Sequence, residues 1–406
     1  MPIAKQVQFG DLILGFTTEF SWRWDDGGSG GSYDGSFFHP EPPSGFHALG
    51  SLGFKGYDNP DGKYASLCVK EASSGGKAAL SSPAGYELIW ADSGSGARAD
   101  GSCWRPIPKS GYVALGDVFQ RGYGKPSISD VMCVSRELVA EGLVGDRIWI
   151  DRNTGAHQDF GSWAVQVYTG FKDTTDGVFA VGTFTSRGGT DAHNKPSASP
   201  VVWNLRLPLP TTSGPNAKKP SLEGRTSPPT TTNAVVDRIV TVPYTCIQDK
   251  SSRKPLKWIV EHTPFYNVER SVSYDLVNFL DNTTESEQNV FTEVTTGISK
   301  ETSDTFSIST GISVEATSGV SVHGVGGSVS VTMSVELGYS HSNTVAAFRQ
   351  ETDNVTLTVS PGQAGAVWTE KHTLGVRRGN DGARVSRPIS FDTSASSCVF
   401  SEYPKR

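Results

Sequence analysis

The chain has 406 residues, enough for two or three domains, and its formal net charge of −6 gives no basic surplus of the kind that nucleic acids attract. No stretch approaches the roughly 18 to 20 unbroken apolar residues of a membrane helix. The first residues, MPIAKQVQFGDLILGF, lack a basic region followed by a long apolar core, so no signal peptide is evident. We expect a soluble protein that is made in the cytoplasm or released by a non-standard route.

Short alternating runs bounded by Gly, Pro, Asn and Asp recur along the chain, whereas runs with helical spacing are scarce. This pattern predicts an all-β fold. The five cysteines form no CxxC pair, which argues against structural zinc. We interpret them as free buried thiols, with a disulfide between Cys246 and Cys398 as the alternative.

Three segments of the first half share one frame: WDDGGSGGSYDGSFFHP, WADSGSGARADGSCWRP and WIDRNTGAHQDFGSWAV. Each has a Trp, an Asp two residues later and a second Asp eight residues after the first. The sets are Trp24, Asp26 and Asp34; Trp90, Asp92 and Asp100; and Trp149, Asp151 and Asp159. A strand with an equivalent glycine (Gly50, Gly116 or Gly182) follows each set. Such repeats predict a pseudo-threefold, β-prism-like domain over residues 1–210.

The repeated side chains have two interpretations each. The Asp residues either form turns, because their carboxylates bond to nearby backbone amides, or belong to loops that bind a sugar or Ca²⁺. Asp26, Asp92 and Asp151 are the candidate Ca²⁺ ligands, and no other metal site is predicted. The Trp residues are either core residues or platforms for sugar stacking, and their occurrence in all three copies favours the core.

The central repeat, ELIWADSGSGARADGSCWRPIPKSGYVALGDV followed by KPSISDVMCVSREL, resembles the vacuolar protein sorting-associated protein 62 family. The resemblance covers about Phe16 to Pro210. The first and third repeats depart from the central one, and the third has NTG where the others have GSG. The family name implies no transport role for this chain.

The segment from Pro208 to Asn233 is rich in Pro, Thr and Ser and has almost no large apolar residue. It predicts a semi-rigid linker over residues 211–233. Lys218, Lys219 and Arg225 lie in it, and a trypsin-like protease can cut such bonds where they are exposed. A simple tether is favoured over an activation site.

Residues Phe306 to Ser340 alternate between apolar and polar side chains, on even numbers first and on odd numbers after the turn HGVGGS. The pattern predicts a hairpin with one apolar and one polar face. The apolar face consists of Phe306, Ile308, Ile312, Val314, Ala316, Val320, Val322, Val329, Val331, Met333, Val335, Leu337 and Tyr339. Both arms exceed the about 9 to 11 residues of a membrane-spanning β-strand.

One hairpin cannot enter a bilayer alone, because its outer edges would leave N–H and C=O groups unpaired in hydrocarbon. Copies of the chain must therefore close a barrel together, and before insertion the protein must cover the apolar face itself. If Val322 faces Val329, then Glu315 faces Glu336 on the polar side. A ring of these carboxylates would line the lumen and favour cations.

The strands around the hairpin, TPFYNVERSVSYDLVNF, QNVFTEVTTGISKETSD and NVTLTVSPGQAGAVWTEKHTLGVRR, are long and rich in Ser and Thr. This arrangement resembles the aerolysin-type β-pore-forming toxins, some of which are insecticidal. The resemblance implies an elongated pore-forming module over residues 234–406, an insertion hairpin at about 304–342 and a receptor-binding head in the first half.

We therefore predict a β-pore-forming toxin that binds a target-cell membrane through a glycan or protein receptor, oligomerises with itself and inserts a β-barrel. A non-lytic, lectin-like binding protein is the alternative. No nucleic-acid partner and no cofactor are expected. Residues Gly27–Gly31 match GxSxG, but the strand-to-helix context of a nucleophile elbow is missing, so no enzyme is predicted.

Overall fold

The computed structural model describes residues 5–72, 77–168, 175–197, 200–250, 253–324, 327–339 and 347–404. The described part is an all-β protein with two short α-helices, neither of which is long and apolar enough to cross a membrane. The strands of the first half are β1 (Val7–Phe9), β2 (Leu12–Thr17), β3 (Phe20–Asp25), β4 (Gly35–Pro40), β5 (Leu52–Lys55), β6 (Ser66–Glu71), β7 (Leu80–Ser81), β8 (Gly85–Ala91), β9 (Gly101–Ile107), β10 (Tyr112–Val113), β11 (Val118–Arg121), β12 (Cys133–Ser135), β13 (Val139–Ile150), β14 (Phe160–Val167), β15 (Asp176–Phe179), β16 (Phe184–Gly188) and β17 (Trp203–Pro208).

The second half contains the longest strands and both helices. Its elements are β18 (Thr211–Ser213), β19 (Val235–Pro243), α1 (Leu256–His262), β20 (Phe265–Asp281), β21 (Gln288–Thr296), α2 (Lys300–Thr310), β22 (Ile312–Glu315), β23 (Gly319–His323), β24 (Val329–Thr332), β25 (Glu351–Val359), β26 (Ala364–Arg378), β27 (Ile389–Asp392) and β28 (Val399–Tyr403).

Each repeat of the first half supplies an equivalent three-stranded antiparallel unit: β3–β4–β5, β8–β9–β11 and β13–β14–β16. In each unit an irregularity of register lies directly before the repeated Trp. A β-bulge re-aims a side chain, and all three tryptophans are fully buried. The predicted pseudo-threefold, β-prism-like head is thus present.

The equivalent glycines permit a close approach between the repeats. A Cβ added to Gly116 would lie 2.4 Å from Cβ of Thr183. A Cβ added to Gly50 would lie 3.1 Å from Cα of Gly116. Larger residues would separate the units at this contact.

The second half forms an elongated body around two long strands. β20 has 17 residues and β26 has 15, and they pair from Tyr266–Arg378 to Asp281–Ala364. The body sheet has the order β18–β19–β20–β26–β27, with β28 also paired to β26. β21 and β25 form a separate two-stranded ribbon.

The predicted linker, residues 211–233, packs against the body through some of its side chains. Leu222 is only 2 % exposed and packs in a cluster with Tyr274 and Trp368. Arg225 forms an ion pair of 2.7 Å with Asp281. The prediction of a semi-rigid linker over residues 211–233 stays a prediction, and Leu222 is the residue by which this segment packs against the body.

All five cysteines are free thiols. Cys246 lies in the large core shared by both halves, whereas Cys398 packs beside a different cluster under β25. The alternative of a Cys246–Cys398 disulfide is thus not realised.

Candidate functional site

The segment that the sequence predicts to insert, residues 304–342 and called the insertion segment below, does not form two long arms in this conformation. Its first residues belong to α2, and β22, β23 and β24 then form a short antiparallel meander. The prediction of one continuous hairpin is therefore wrong for this conformation. Residues 325–326, in the predicted turn, and 340–342, at the end of the second arm, lie outside the described residues.

Local sequence explains why the first arm starts as a helix. The side chain of Ser299 accepts a hydrogen bond from the backbone N–H of Thr302, which caps the N-terminus of α2. Gly311 ends the helix with a φ of +81°, a left-handed conformation that glycine adopts without strain. Period-2 patterning alone does not reveal these two signals, because both lie at the ends of the helix and not in the alternation of its side chains.

The register of the segment also differs from the predicted one. Val322 faces Val331 rather than Val329, and Glu315 faces Gly319 rather than Glu336. Gly319, with a φ of +69°, turns the chain back soon after Glu315. β22 therefore pairs with β23 instead of the second arm, and the predicted Glu315–Glu336 pair is not formed.

The protein nevertheless covers the apolar face of the insertion segment. Ala316 is partly buried, whereas Ile308 is 66 % and Val335 57 % exposed. The buried members are Phe306, Ile312, Val314, Val320, Val322, Val329, Val331, Met333, Leu337 and Tyr339. They share one core with residues of the head and of the body.

A strand of the head, β15, packs beside the apolar face of the insertion segment. β24 pairs with β15 in antiparallel register, with Ser330 opposite Val178 and Val329 opposite Phe179. The backbone N–H of Ala180 adds a hydrogen bond of 2.9 Å to the carbonyl of Ser328. The insertion segment and the third repeat thus belong to one eight-stranded sheet, β16–β14–β13–β17–β15–β24–β23–β22.

The body holds the other end of the segment through Tyr339. Its hydroxyl lies 3.0 Å from Nδ1 of His372, and the guanidinium of Arg270 stacks 5.2 Å from its ring centroid. Arg270 in turn makes a two-pronged ion pair with the buried Asp237. Arg270 and His372 were not predicted as site residues. The sequence offers one signal for Arg270, which occupies an even position of its strand between the apolar residues Val268 and Val272.

The two predicted lumen carboxylates have different surroundings. Glu315 is exposed and accepts hydrogen bonds from Ser313 and Ser318. Glu336 is half-buried, and burial, with the nearby charge of Asp176, raises its pKa. Among the described residues, no donor lies within hydrogen-bonding distance of its Oε2.

The three repeated tryptophans meet at the centre of the head. The ring centroid of Trp24 lies 5.4 Å from that of Trp90 and 5.2 Å from that of Trp149, both edge to face. Each indole N–H donates to the loop of another repeat: Trp24 to Ala99 O at 2.9 Å, Trp90 to Gln158 O at 2.7 Å and Trp149 to Tyr33 O at 2.8 Å. These residues form the core and join the repeats, so they are not exposed platforms for sugars.

The first Asp of each repeat closes its own loop. Its Oδ1 accepts a backbone hydrogen bond from Gly35 (Asp26, 2.9 Å), Gly101 (Asp92, 3.1 Å) or Phe160 (Asp151, 2.9 Å). All three carboxylates are buried. This geometry favours the turn-forming interpretation, and Ca²⁺ binding by these residues stays a prediction.

The second Asp of each repeat lies nearer the surface. Tyr57 donates to Asp34 at 3.0 Å and Tyr123 to Asp100 at 3.2 Å.

In the third repeat a histidine lies beside the Asp pair. Nε2 of His193 lies 2.7 Å from Oδ1 of Asp151, and these two residues and Asp159 place their ligand atoms within 4.8 Å of one another. Burial raises the pKa of Asp151, and the charge of Asp159 adds to this effect. Two carboxylates and an imidazole are a donor set that can hold a divalent cation.

The family model for vacuolar protein sorting-associated protein 62 matches residues 4–218 of the chain. Among solved structures, GNIP1Aa from Chromobacterium piscinae is similar, with 27 % identity and a TM-score of 0.40 over 48 % of this chain and 37 % of that one. Cry35Ab1 is similar with 13 % identity and a TM-score of 0.35, over 80 % of this chain and 89 % of that one. The match thus spans little more than a third of GNIP1Aa. A search of curated proteins gave no match.

Proposed function

The chain belongs to the vacuolar protein sorting-associated protein 62 family, and we propose that this member is a β-pore-forming toxin. The three-repeat head binds a glycan or protein receptor on a target cell, and insects are the proposed targets. Copies of the chain then assemble on the membrane and extend their insertion segments into a shared barrel. No step of this proposal requires an enzymatic activity or a cofactor.

The register of the two strands that flank the insertion segment carries the proposal. β21 and β25 pair without interruption from Gln288–Val359 to Thr296–Glu351. β21 ends at Thr296, before the insertion segment, and β25 begins at Glu351, after it. Because side chains alternate along a strand, extension of this ribbon keeps even residues of the first arm and odd residues of the second on the face of Val294 and Val355.

That face is the one on which the apolar residues of the insertion segment fall. Val294 and Val355 are themselves buried against the body. A ribbon that is already paired at its base can therefore lengthen into a hairpin whose apolar side chains all point one way. This continuity supports an extended second conformation, in which the apolar face meets lipid instead of the core.

The same register changes the arrangement proposed for the lumen. Continued without a shift, it places Glu315 opposite Thr332 and Glu336 opposite Gly311. Both carboxylates remain on the polar face, but they no longer face each other. Two like charges directly opposite are unfavourable in a sheet, so this register avoids the repulsion that the sequence alone predicted.

Oligomerisation follows from the hydrogen bonding of the extended ribbon. Each outer edge would leave its N–H and C=O groups unpaired in hydrocarbon at several kcal/mol per group. Neighbouring copies of the same chain supply the missing partners when they close a barrel. A membrane and further copies of the chain are therefore the proposed partners.

Release of calcein from loaded vesicles tests the proposal. The protein is added to phosphatidylcholine vesicles and to vesicles made from target-cell membranes, and bound protein is measured by flotation. We expect binding, calcein release and ring-shaped assemblies in electron micrographs. Binding without release from either kind of vesicle would contradict pore formation and support the lectin-like alternative.

A further inference from the structure

The contact between β15 and β24 joins the head to the segment that the proposed function inserts. β24 is the last strand of the meander, and its two edges are occupied by β23 on one side and β15 on the other. On its far edge β15 pairs with β17, from Asp176–Pro208 to Phe179–Leu205. The head therefore supplies backbone hydrogen bonds to an edge that would otherwise be open.

Side-chain packing reinforces this backbone pairing. Val178, Phe179, Val329 and Val331 are almost completely buried. The ring of Phe179 also lies edge to face with Phe9, at 5.9 Å between centroids. The contact between β15 and β24 thus lies in the main hydrophobic core.

Extension of the ribbon is incompatible with this contact. In the unshifted register of β21 and β25, residues 329–332 must pair with residues 315–318 of the first arm and, on the other edge, with a neighbouring copy. Each backbone group of β24 can serve one such ladder at a time. β24 must therefore leave both β23 and β15 before the hairpin can form.

We propose that β15 is a latch by which the receptor-binding head holds the insertion segment closed, an inference that rests on the proposed pore formation. The latch belongs to the third repeat, whose strands β13, β14 and β16 continue the same sheet. Rearrangement of this repeat on a target surface acts on the strand that restrains β24. Soluble copies stay inactive while the strand pairing persists.

A disulfide across the latch tests the inference. Directly opposite residues of an antiparallel pair lie about 4.5–5.5 Å apart at Cα, within the range that a disulfide spans. Val178→Cys with Ser330→Cys joins the head to β24. Val178→Cys with Arg206→Cys is the matched control, because Arg206 faces Val178 from β17 inside the head.

We expect the oxidised Val178–Ser330 variant to bind calcein-loaded vesicles without releasing dye, and reduction to restore release. The control should release dye in both redox states. If the wild type releases calcein and the oxidised Val178–Ser330 variant does so at the same rate, the latch is disproved while pore formation stands. If the wild type itself releases no calcein, it is the proposed function that fails.

Loosening the latch gives an independent measurement. Ala180→Pro removes the N–H that donates to Ser328 and leaves the insertion segment unchanged. We expect calcein release about fivefold faster, the ratio that one lost hydrogen bond produces, from a protein whose circular dichroism matches the wild type. A correctly folded variant with an unchanged rate would contradict the latch.

Discussion

The hydroxyl of Tyr339 lies 3.0 Å from Nδ1 of His372, so the C-terminal end of the insertion segment is hydrogen-bonded to β26 of the body. Both residues are buried. Arg270 contacts the same side chain: its guanidinium stacks on the Tyr339 ring and forms an ion pair with Asp237. Two contacts thus hold the insertion segment in this conformation: the polar contact of Tyr339 with the body, and the pairing of β24 with β15 of the head.

Removal of the Tyr339 hydroxyl should weaken the closed conformation. Tyr339→Phe keeps the ring but leaves a buried nitrogen of His372 without its partner, at a cost of about 1–3 kcal/mol. We expect a lower free energy of unfolding and faster calcein release. Tyr112→Phe, which loses an exposed hydrogen bond to Ala78 O, is the control. Equal effects of the two variants would contradict the anchor.

The pH dependence of release should follow Glu336. Burial and Asp176 raise its pKa above the ordinary value of 4.5, so the closed conformation favours the protonated carboxyl. This contribution is fully present below pH 4.5 and is lost as the pH rises through the raised pKa. At a pH above the raised pKa, Glu336→Gln should therefore be more stable than the wild type and release calcein more slowly. Its rate of release should also depend less on pH. Glu315→Gln, at an exposed site, should keep the wild-type pH profile.

Ion selectivity tests whether the polar face lines a lumen. In planar bilayers we expect discrete current steps with a preference for cations, because Glu315 and Glu336 repeat around the proposed ring. The double Glu→Gln variant should shift the reversal potential in a salt gradient toward zero. An unchanged reversal potential would show that these carboxylates do not face the pore.

The central tryptophans should dominate the stability of the head. Trp24→Phe removes the N–H that serves Asp92 and Ala99 O. Loss of a buried hydrogen-bond partner costs about 1–3 kcal/mol, so we expect the free energy of unfolding to fall by about that amount. Trp22→Phe loses only a partly buried hydrogen bond to Asp25. If both variants are equally stable in urea unfolding, Trp24 does not join the repeats.

Limited trypsin digestion should cut the linker, residues 211–233, after Lys218. Lys218 is exposed, whereas Arg225 is held by Asp281 and by the carbonyl of Gly362. Lys219 precedes Pro220, which trypsin tolerates poorly. We expect mass spectrometry to find the first break between Lys218 and Lys219, and Lys218→Gln to delay it. A first break after Arg225 would show that the contacts of Arg225 with the body do not persist in solution.

Much of the head could be predicted from the sequence. The spacing of Trp24, Trp90 and Trp149 indicated three equivalent units, and the all-β, pseudo-threefold fold is confirmed. The family resemblance of the first half is confirmed over residues 4–218. Turn formation by the first Asp is one of the two interpretations that its chemistry allows, and a loop that binds a sugar or Ca²⁺ is the other. The cyclic hydrogen bonds between repeats could not be predicted, because they join residues far apart in the chain.

The alternation from Phe306 to Tyr339 determined by itself which side chains belong together on one face, because side-chain direction has a period of two along any strand. Only the tertiary structure decided what that face touches and which strands it joins. Ser299 and Gly311 are local signals for the helix at the start of this segment, whereas β15 offers an edge to β24 that no local pattern reveals. Pairing between distant strands depends on where the whole chain brings their edges, and this information is spread over the fold.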